Sequence, residues 1–180
     1  MKVTALPIDG PLLIEPQKFC DSRGHFLESY NTERYKTIIG AHDFVQDNLS
    51  LSDKNVIRGL HFQAPPYAQG KLVSVLKGAV VDVIVDIRSN SPTYGEHLAI
   101  ELNDEDYKQM WIPPGFAHGF LSIKKNTLFS YKCSAPYATA FERTLLWNDP
   151  DLAIDWKANS PIVSEKDTLG ELFRTFKSPF

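Results

Sequence analysis

The stretch "NVIRGLHFQ", residues 55–63, reads as a strand bound for a core, yet it carries Arg58 and His61. Arginine is always charged, so an inward-facing Arg58 needs an anion beside it. An imidazole is the side chain that exchanges protons most readily near neutral pH. Gln63 follows, and "APPYAQGK" then delivers Lys71. Such a set suits proton transfer on an anionic ligand. In a regular strand, however, Arg58 and His61 point to opposite faces. Gly59 lies between them and can host a bulge that turns both toward one cavity. An irregularity is therefore expected there.

Other candidates are less specific. Tyr131, in "TLFSYKC", alternates with Phe129 and Thr127. It is either a core tyrosine with its hydroxyl at the rim or a phenol that donates a proton to an enolate. Asp167, in "SEKDTLGELF", follows Ser164 by three positions. It either starts a helix or orients a histidine. His118 closes a P-x-G-x-x-H pattern with Pro113 and Gly115, similar to the second motif of cupins. The first cupin motif needs H-x-H and a glutamate, and the chain has His61-Phe62-Gln63 there. A metal site takes about three or four converging ligands. The expectation is an all-β, cupin-type antiparallel β-barrel (jelly roll) that holds no metal.

The elements that must position these residues are short. Strand-like runs fall at 11–15, 25–30, 44–50, 55–62, 71–76, 79–87, 97–102, 109–112, 117–123, 127–133 and 143–147, separated by Pro, Gly, Asn and Asp. Helices are expected at 32–38, 104–107 and 165–176, so mainly C-terminal. "KLVSVLKGAVVDVIVDI" reads as a hairpin turning at Lys77-Gly78. It would set Val73 opposite Asp82 and put Lys71 on one face with Asp82 and Asp86. Charges on so apolar a face pair or do chemistry. In "FVQDNLSLS", Gln46, Asn48, Ser50 and Ser52 share one side, and Val45, Leu49 and Leu51 the other. The polar stripe is either the wet face of a sheet or the lining of a polar cavity.

Bulk properties narrow the field. The chain has 180 residues, enough for a single domain spanning 1–180 with a substantial core. A net charge of −3 argues against binding nucleic acid or membrane surfaces through charge. No run approaches the roughly 18 apolar residues of a spanning helix. The N-terminus, broken by Pro7, Asp9, Gly10 and Pro11, does not read as a signal peptide. Two cysteines, Cys20 and Cys133, form no framework, and a reducing cytoplasm is the expected compartment.

Taken together, "DSRGHFLESY", "QDNLSLS", "VIRGLHFQAPPYAQGKLVSVLKGAVVDVIVDIRSNSPTYG", "QMWIPPGFAHGF" and "SYKCSAPYATAFERTLLWNDPDLAIDW" resemble the dTDP-4-dehydrorhamnose 3,5-epimerase family, over nearly the whole chain. The resemblance implies His61 as general base, Tyr131 as general acid and Asp167 as the carboxylate partnered with His61. Lys71 and Arg58 would line the sugar and phosphate region. Arg23, Glu28, Gln46, Asn48, His118, Glu142 and Lys166 match the family's nucleotide-sugar contacts, and Tyr137 the aromatic that stacks on thymine. It further implies a dTDP-sugar substrate, no cofactor, and a homodimer with exchanged strands in which Arg23 and Glu28 serve the partner's site. Three rivals remain: an epimerase acting at one centre, a 3,4-ketoisomerase on the same scaffold, and a sugar-nucleotide-binding cupin without activity.

Overall fold

Alternating apolar and polar residues in short runs favour strands with one face inward. The computed structural model, which describes residues 1–180, turns them into β1 (Lys2–Ala5), β2 (Leu12–Glu15), β3 (Lys18–Asp21), β4 (Gly24–Leu27), β5 (Gln46–Ser52), β6 (Val56–Gln63), β7 (Lys71–Lys77), β8 (Ala79–Asp86), β9 (His97–Asn103), β10 (Gln109–Ile112), β11 (Phe116–Ser122), β12 (Thr127–Cys133), β13 (Glu142–Thr144) and β14 (Ile162–Val163). One sheet runs β1-β2-β10-β7-β12-β5. The other runs β13-β6-β11-β8-β9, with β14 parallel to β6. β3 and β4 form a separate hairpin. The two large sheets make a jelly-roll sandwich and do not close into the expected barrel.

Three apolar clusters hold this arrangement. Val73, Val75, Val80, Ile84, Phe120 and Phe129 join the two sheets face to face. On the second sheet's other face, Ile57, Val83, Val85 and Leu121 pack under Leu152, Trp156 and Phe176 from the C-terminal part. That sheet is therefore covered on both sides, which is why β8 is an almost unbroken apolar run. On the first sheet's other face, Ile14, Leu72 and Trp111 receive Tyr35 and Ile39 of α1 (Thr32–Ile39). Asn31 caps this helix by accepting from the Arg34 N–H at 3.1 Å.

Several expectations need correction. α1, near the N-terminus, is the longest helix, while the three shorter helical segments, at 139–141, 165–168 and 173–175, lie toward the C-terminus as expected. Residues 104–106 form a turn instead of a helix, and 165–176 breaks into α2 (Glu165–Thr168) and a 3-10 turn at Phe173–Thr175. The break falls at Gly170, where a Cβ would lie 2.5 Å from the Leu146 nitrogen. β7 and β8 do not pair. Gly78 does turn, with φ +88°, but it passes the chain from one sheet to the other. β7 lies between β10 and β12, and β8 between β9 and β11. Asp82 therefore faces Phe120 and Ile100, not Val73. Asp86 is engaged by Arg88, Ser91 and Thr93 rather than by Lys71. Finally, the wet-face reading of β5 is reversed. Gln46, Asn48, Ser50 and Ser52 turn inward, while Leu49 and Leu51 stay exposed on the outer face.

Candidate active site

The site begins with the irregularity in β6. His61 pairs with His118 and Arg58 with Phe120, so Gly59 and Leu60 together face the single Gly119 on β11. Gly59 takes φ +134°, a conformation open to glycine, and the Gly59–Leu60 peptide is cis. The two backbones also touch. A Cβ on Gly59 would lie 2.4 Å from Gly119 Cα, and one on Gly119 2.7 Å from the Arg58 carbonyl oxygen. The bulge is what brings Arg58 and His61 to the same cavity.

Asp167 locks this geometry from α2. Ser164 caps the helix by accepting from the Asp167 N–H. The carboxylate then reaches two groups of β6. Oδ1 lies 2.6 Å from His61 Nε2, and Oδ2 accepts from the Gly59 N–H at 3.3 Å. Burial opposes the charge on Asp167. The hydrogen bond from His61 and its charge, with Gly59 and Ser164, outweigh that and hold the carboxyl below its ordinary value. An ionised Asp167 accepts the Nε2 proton, which leaves the neutral imidazole's lone pair on Nδ1.

The opposite wall comes from the first sheet. Tyr131 on β12 lies between Asn48 of β5 and Val73 of β7. Burial, then the neighbouring Cys133, raise the pKa of its phenol, and Arg58 works against them. Lys71 on β7 reaches across to donate to the His61 carbonyl oxygen at 3.4 Å. Burial lowers its pKa, while Cys133, Asp82 and Glu142 push it back up.

His61, Lys71, Tyr131, Tyr137 and Glu142 are shared by two adjoining cavities of about 230 Å³ and 330 Å³. The smaller is lined by amides, Gln46, Asn48, Gln63 and Gln69, with Cys133. The larger adds Arg58, His118, Ser50, Lys166 and Asp167. At the mouth, Glu142 accepts from the Tyr137 hydroxyl at 2.7 Å and from Lys166 at 2.5 Å. Burial works against the Glu142 charge, but these two partners hold its carboxyl below the ordinary value. Gln46 accepts from the Tyr137 N–H and donates to Asn48.

Eleven of the thirteen residues singled out in the sequence thus line these two adjoining cavities. Arg23 and Glu28 do not. Arg23 sits on the β3–β4 turn, paired with Asp21 at 2.6 Å, and Glu28 pairs with Arg34 at 3.0 Å. Sequence reasoning did not place Asp82, whose Oδ1 lies 2.8 Å from His118 Nε2. Its one signal was a carboxylate among valines. Gln63 also gains a role, with Oε1 accepting from the Ala138 N–H and Nε2 donating to the Tyr67 and Pro136 carbonyls. It thereby fixes the loop that carries Tyr137. No three or more His, Cys, Asp or Glu side chains are grouped to hold a metal ion.

Residues 5–175 match the family described as dTDP-4-dehydrorhamnose 3,5-epimerase. The chain belongs to this family. A relative from Pseudomonas aeruginosa bearing that name is 47% identical over 175 residues, 96% of each chain. Among solved structures, the epimerase of Legionella pneumophila in complex with dTDP-4-keto-L-rhamnose superposes with a TM-score of 0.94 at 43% identity, covering 98% of this chain and 94% of that one. A 3'-monoepimerase from Streptomyces bikiniensis, bound to dTDP-quinovose, gives 0.90 at 32% identity, covering 95% and 87%. The solved structures similar to this chain thus include both a 3,5-epimerase and a 3'-monoepimerase.

Proposed function

We propose that this chain is a dTDP-4-dehydrorhamnose 3,5-epimerase that inverts C3 and C5 of dTDP-4-keto-6-deoxy-glucose. The observation that carries this reading is the opposition of His61 and Tyr131, on different sheets, across a shared cavity with the half-buried Lys71 beside them.

The C4 ketone acidifies the protons on its neighbouring carbons. His61 removes one through Nδ1, and the C–H electron pair moves into the C4 carbonyl to give an enolate. Asp167 stabilises the imidazolium that forms. Lys71 stabilises the enolate oxygen, a preorganised contact worth roughly 2.7–4 kcal/mol. Tyr131 then returns a proton to the opposite face, and the centre is inverted. His61 holds the proton it took and Tyr131 is left as phenolate, so each exchanges with solvent before the second centre reacts. The atoms balance without a redox partner, and the chemistry requires no cofactor.

The remaining side chains suit a nucleoside diphosphate. Arg58 offers charge-assisted hydrogen bonds to the diphosphate. Gln46, Asn48, His118, Glu142 and Lys166 hold the rest of the ligand, and the half-exposed Tyr137 stacks on the thymine. Arg23 and Glu28 serve the site of a second copy, through a homodimer with exchanged strands. Exposed apolar residues support such an assembly: Phe19 and Phe26 on the β3–β4 hairpin, Leu49 and Leu51 on β5. The chain works as one domain in the cytoplasm, consistent with two free cysteines and with no helix long and apolar enough to cross a membrane.

The test is turnover in deuterated water, followed by NMR of the product. Deuterium at both C3 and C5 is expected. A second reading, inversion at one centre, draws on the likeness to the 3'-monoepimerase and predicts label at one carbon. The higher identity to the double epimerases favours the first. A shifted ketone would identify a 3,4-ketoisomerase, and absence of exchange would reduce the protein to a binding cupin.

A further inference from the structure

Four polar side chains of β5 turn inward, and three of them are committed to partners within the protein. Gln46 accepts from the Tyr137 N–H and donates to Asn48. Asn48 donates to the Cys133 sulfur at 3.5 Å. Ser52 accepts from Arg58 Nε at 3.1 Å, which ties the guanidinium to the end of the strand. Ser50 is the exception. Its Oγ is buried yet meets no donor or acceptor of the protein, and the residue lines the larger cavity with Arg58, His61, Lys71 and Tyr131. A buried hydroxyl left unpaired costs free energy that the fold does not recover. At the wall of a polar cavity, such a group points to a partner on the ligand.

We propose that Ser50 is a specificity-determining residue whose hydroxyl binds the C2 hydroxyl of the hexose. This rests on the epimerase reading. The order of groups along the wall carries the assignment. Asn48 stands opposite Tyr131 in the β5–β12 register, and Ser50 opposite Phe129. Ser52, two residues further, holds Arg58. Ser50 therefore stands midway between the residue beside the acid and the residue that fixes the phosphate-binding cation, with side chains on this face spaced about 7 Å apart. The ligand has the same order. C1 carries the diphosphate, C3 is a reacting carbon, and C2 lies between them. The ring oxygen is also next to C1, but it sits within the ring and only accepts. The C2 hydroxyl projects from the ring and both donates and accepts, which complements a serine hydroxyl. Holding C2 fixes how the ring is turned about its link to the diphosphate, and so presents C3 and C5 to His61 and Tyr131.

The test pairs Ser50→Ala with ligands that cannot react. dTDP-glucose has no ketone and keeps the C2 hydroxyl, dTDP-2-deoxy-glucose lacks that hydroxyl, and dTDP lacks the sugar. By calorimetry, wild type should bind dTDP-glucose about 3- to 10-fold more tightly than dTDP-2-deoxy-glucose. In Ser50→Ala the two sugars should bind alike, because losing either hydroxyl then costs as much as losing both, and affinity for dTDP should stay within about twofold of wild type. A variant that still prefers the C2 hydroxyl overturns the proposal. So does a wild type that ignores it, or an equal loss for all three ligands. Stability gives a readout without ligand. An unpaired hydroxyl does not hold the fold, so ligand-free Ser50→Ala should melt no more than about 2 °C below wild type. A larger drop, or a failure to fold, assigns the hydroxyl to the fold and ends the proposal. Should wild type fail to exchange deuterium into substrate, the epimerase reading falls, while the calorimetry still reports on Ser50.

Discussion

His61 and His118 stand directly opposite each other on β6 and β11, and each turns Nε2 to a different buried carboxylate, Asp167 at 2.6 Å and Asp82 at 2.8 Å. Their surroundings separate them. The His61 side chain is 29% exposed and lines both cavities, while that of His118 is 7% exposed. Burial drives His118 toward the neutral form. His61, paired with Asp167 and open to the void, is the imidazole that a ligand can reach.

Replacing Asp167 by Asn tests that pairing. An amide cannot accept from both His61 Nε2–H and Gly59 N–H, so one contact is lost. The expected result is a fall in kcat of about 100- to 10,000-fold, with a much smaller change in KM. Steady-state kinetics with circular dichroism as a folding control check it.

Tyr131→Phe removes the acid and little else, since the phenol makes no hydrogen bond that holds the fold. Product formation should fall by about 100- to 10,000-fold while affinity for dTDP stays within about threefold. Calorimetry with dTDP and a turnover assay separate the two. An active variant would remove Tyr131 from the acid role.

Lys71→Met keeps most of the volume and deletes the charge. Loss of one preorganised oxyanion contact predicts a kcat about 100- to 1000-fold lower. If KM alone rises, Lys71 only binds.

Gly119→Ala addresses the bulge. The added Cβ meets the Arg58 carbonyl and Gly59 Cα, which are backbone and yield little. Overpacking of this kind costs about 1–3 kcal/mol, and here it also displaces Arg58 and His61. A lower thermal midpoint together with lost activity is expected. Full activity in the variant would show that the close approach of the two glycines is dispensable.

Asp86 predicts an acid dependence of stability. Burial opposes its charge, but hydrogen bonds from Arg88, Ser91 and Thr93 outweigh it and bring the carboxyl down to about 2. A carboxyl whose pKa is depressed on folding stabilises the protein above its unfolded value and loses that contribution as pH falls through the folded one. The stability gap between wild type and Asp86→Asn should be on the order of 2 kcal/mol at neutral pH and close between about pH 4 and pH 2. Urea melts across that range measure it.

How much of this was legible without coordinates follows from the range of each signal. Alternation along the chain reports that the two sides of a strand differ; it located most strands and the polar stripe of β5, but not that this stripe faces inward. A parity conflict between Arg58 and His61, with a glycine between them, was enough to expect the bulge, because side-chain direction in a strand is a local property. The family's motifs named the residues that surround the cavity. Partner choice between strands was not available in this way. "KLVSVLKGAVVDVIVDI" is covered on both faces for much of its length, so it has no wet side to fix a register. A Lys-Gly turn says that the chain changes direction, not whether it stays in one sheet. Only the packed sandwich decided that β7 and β8 part company there. It also decided that Asp82 binds His118, and that Arg23 lies away from the cavity of its own chain. Those are contacts between residues far apart in sequence, set by how two sheets exclude water together, and no short stretch of residues contains them.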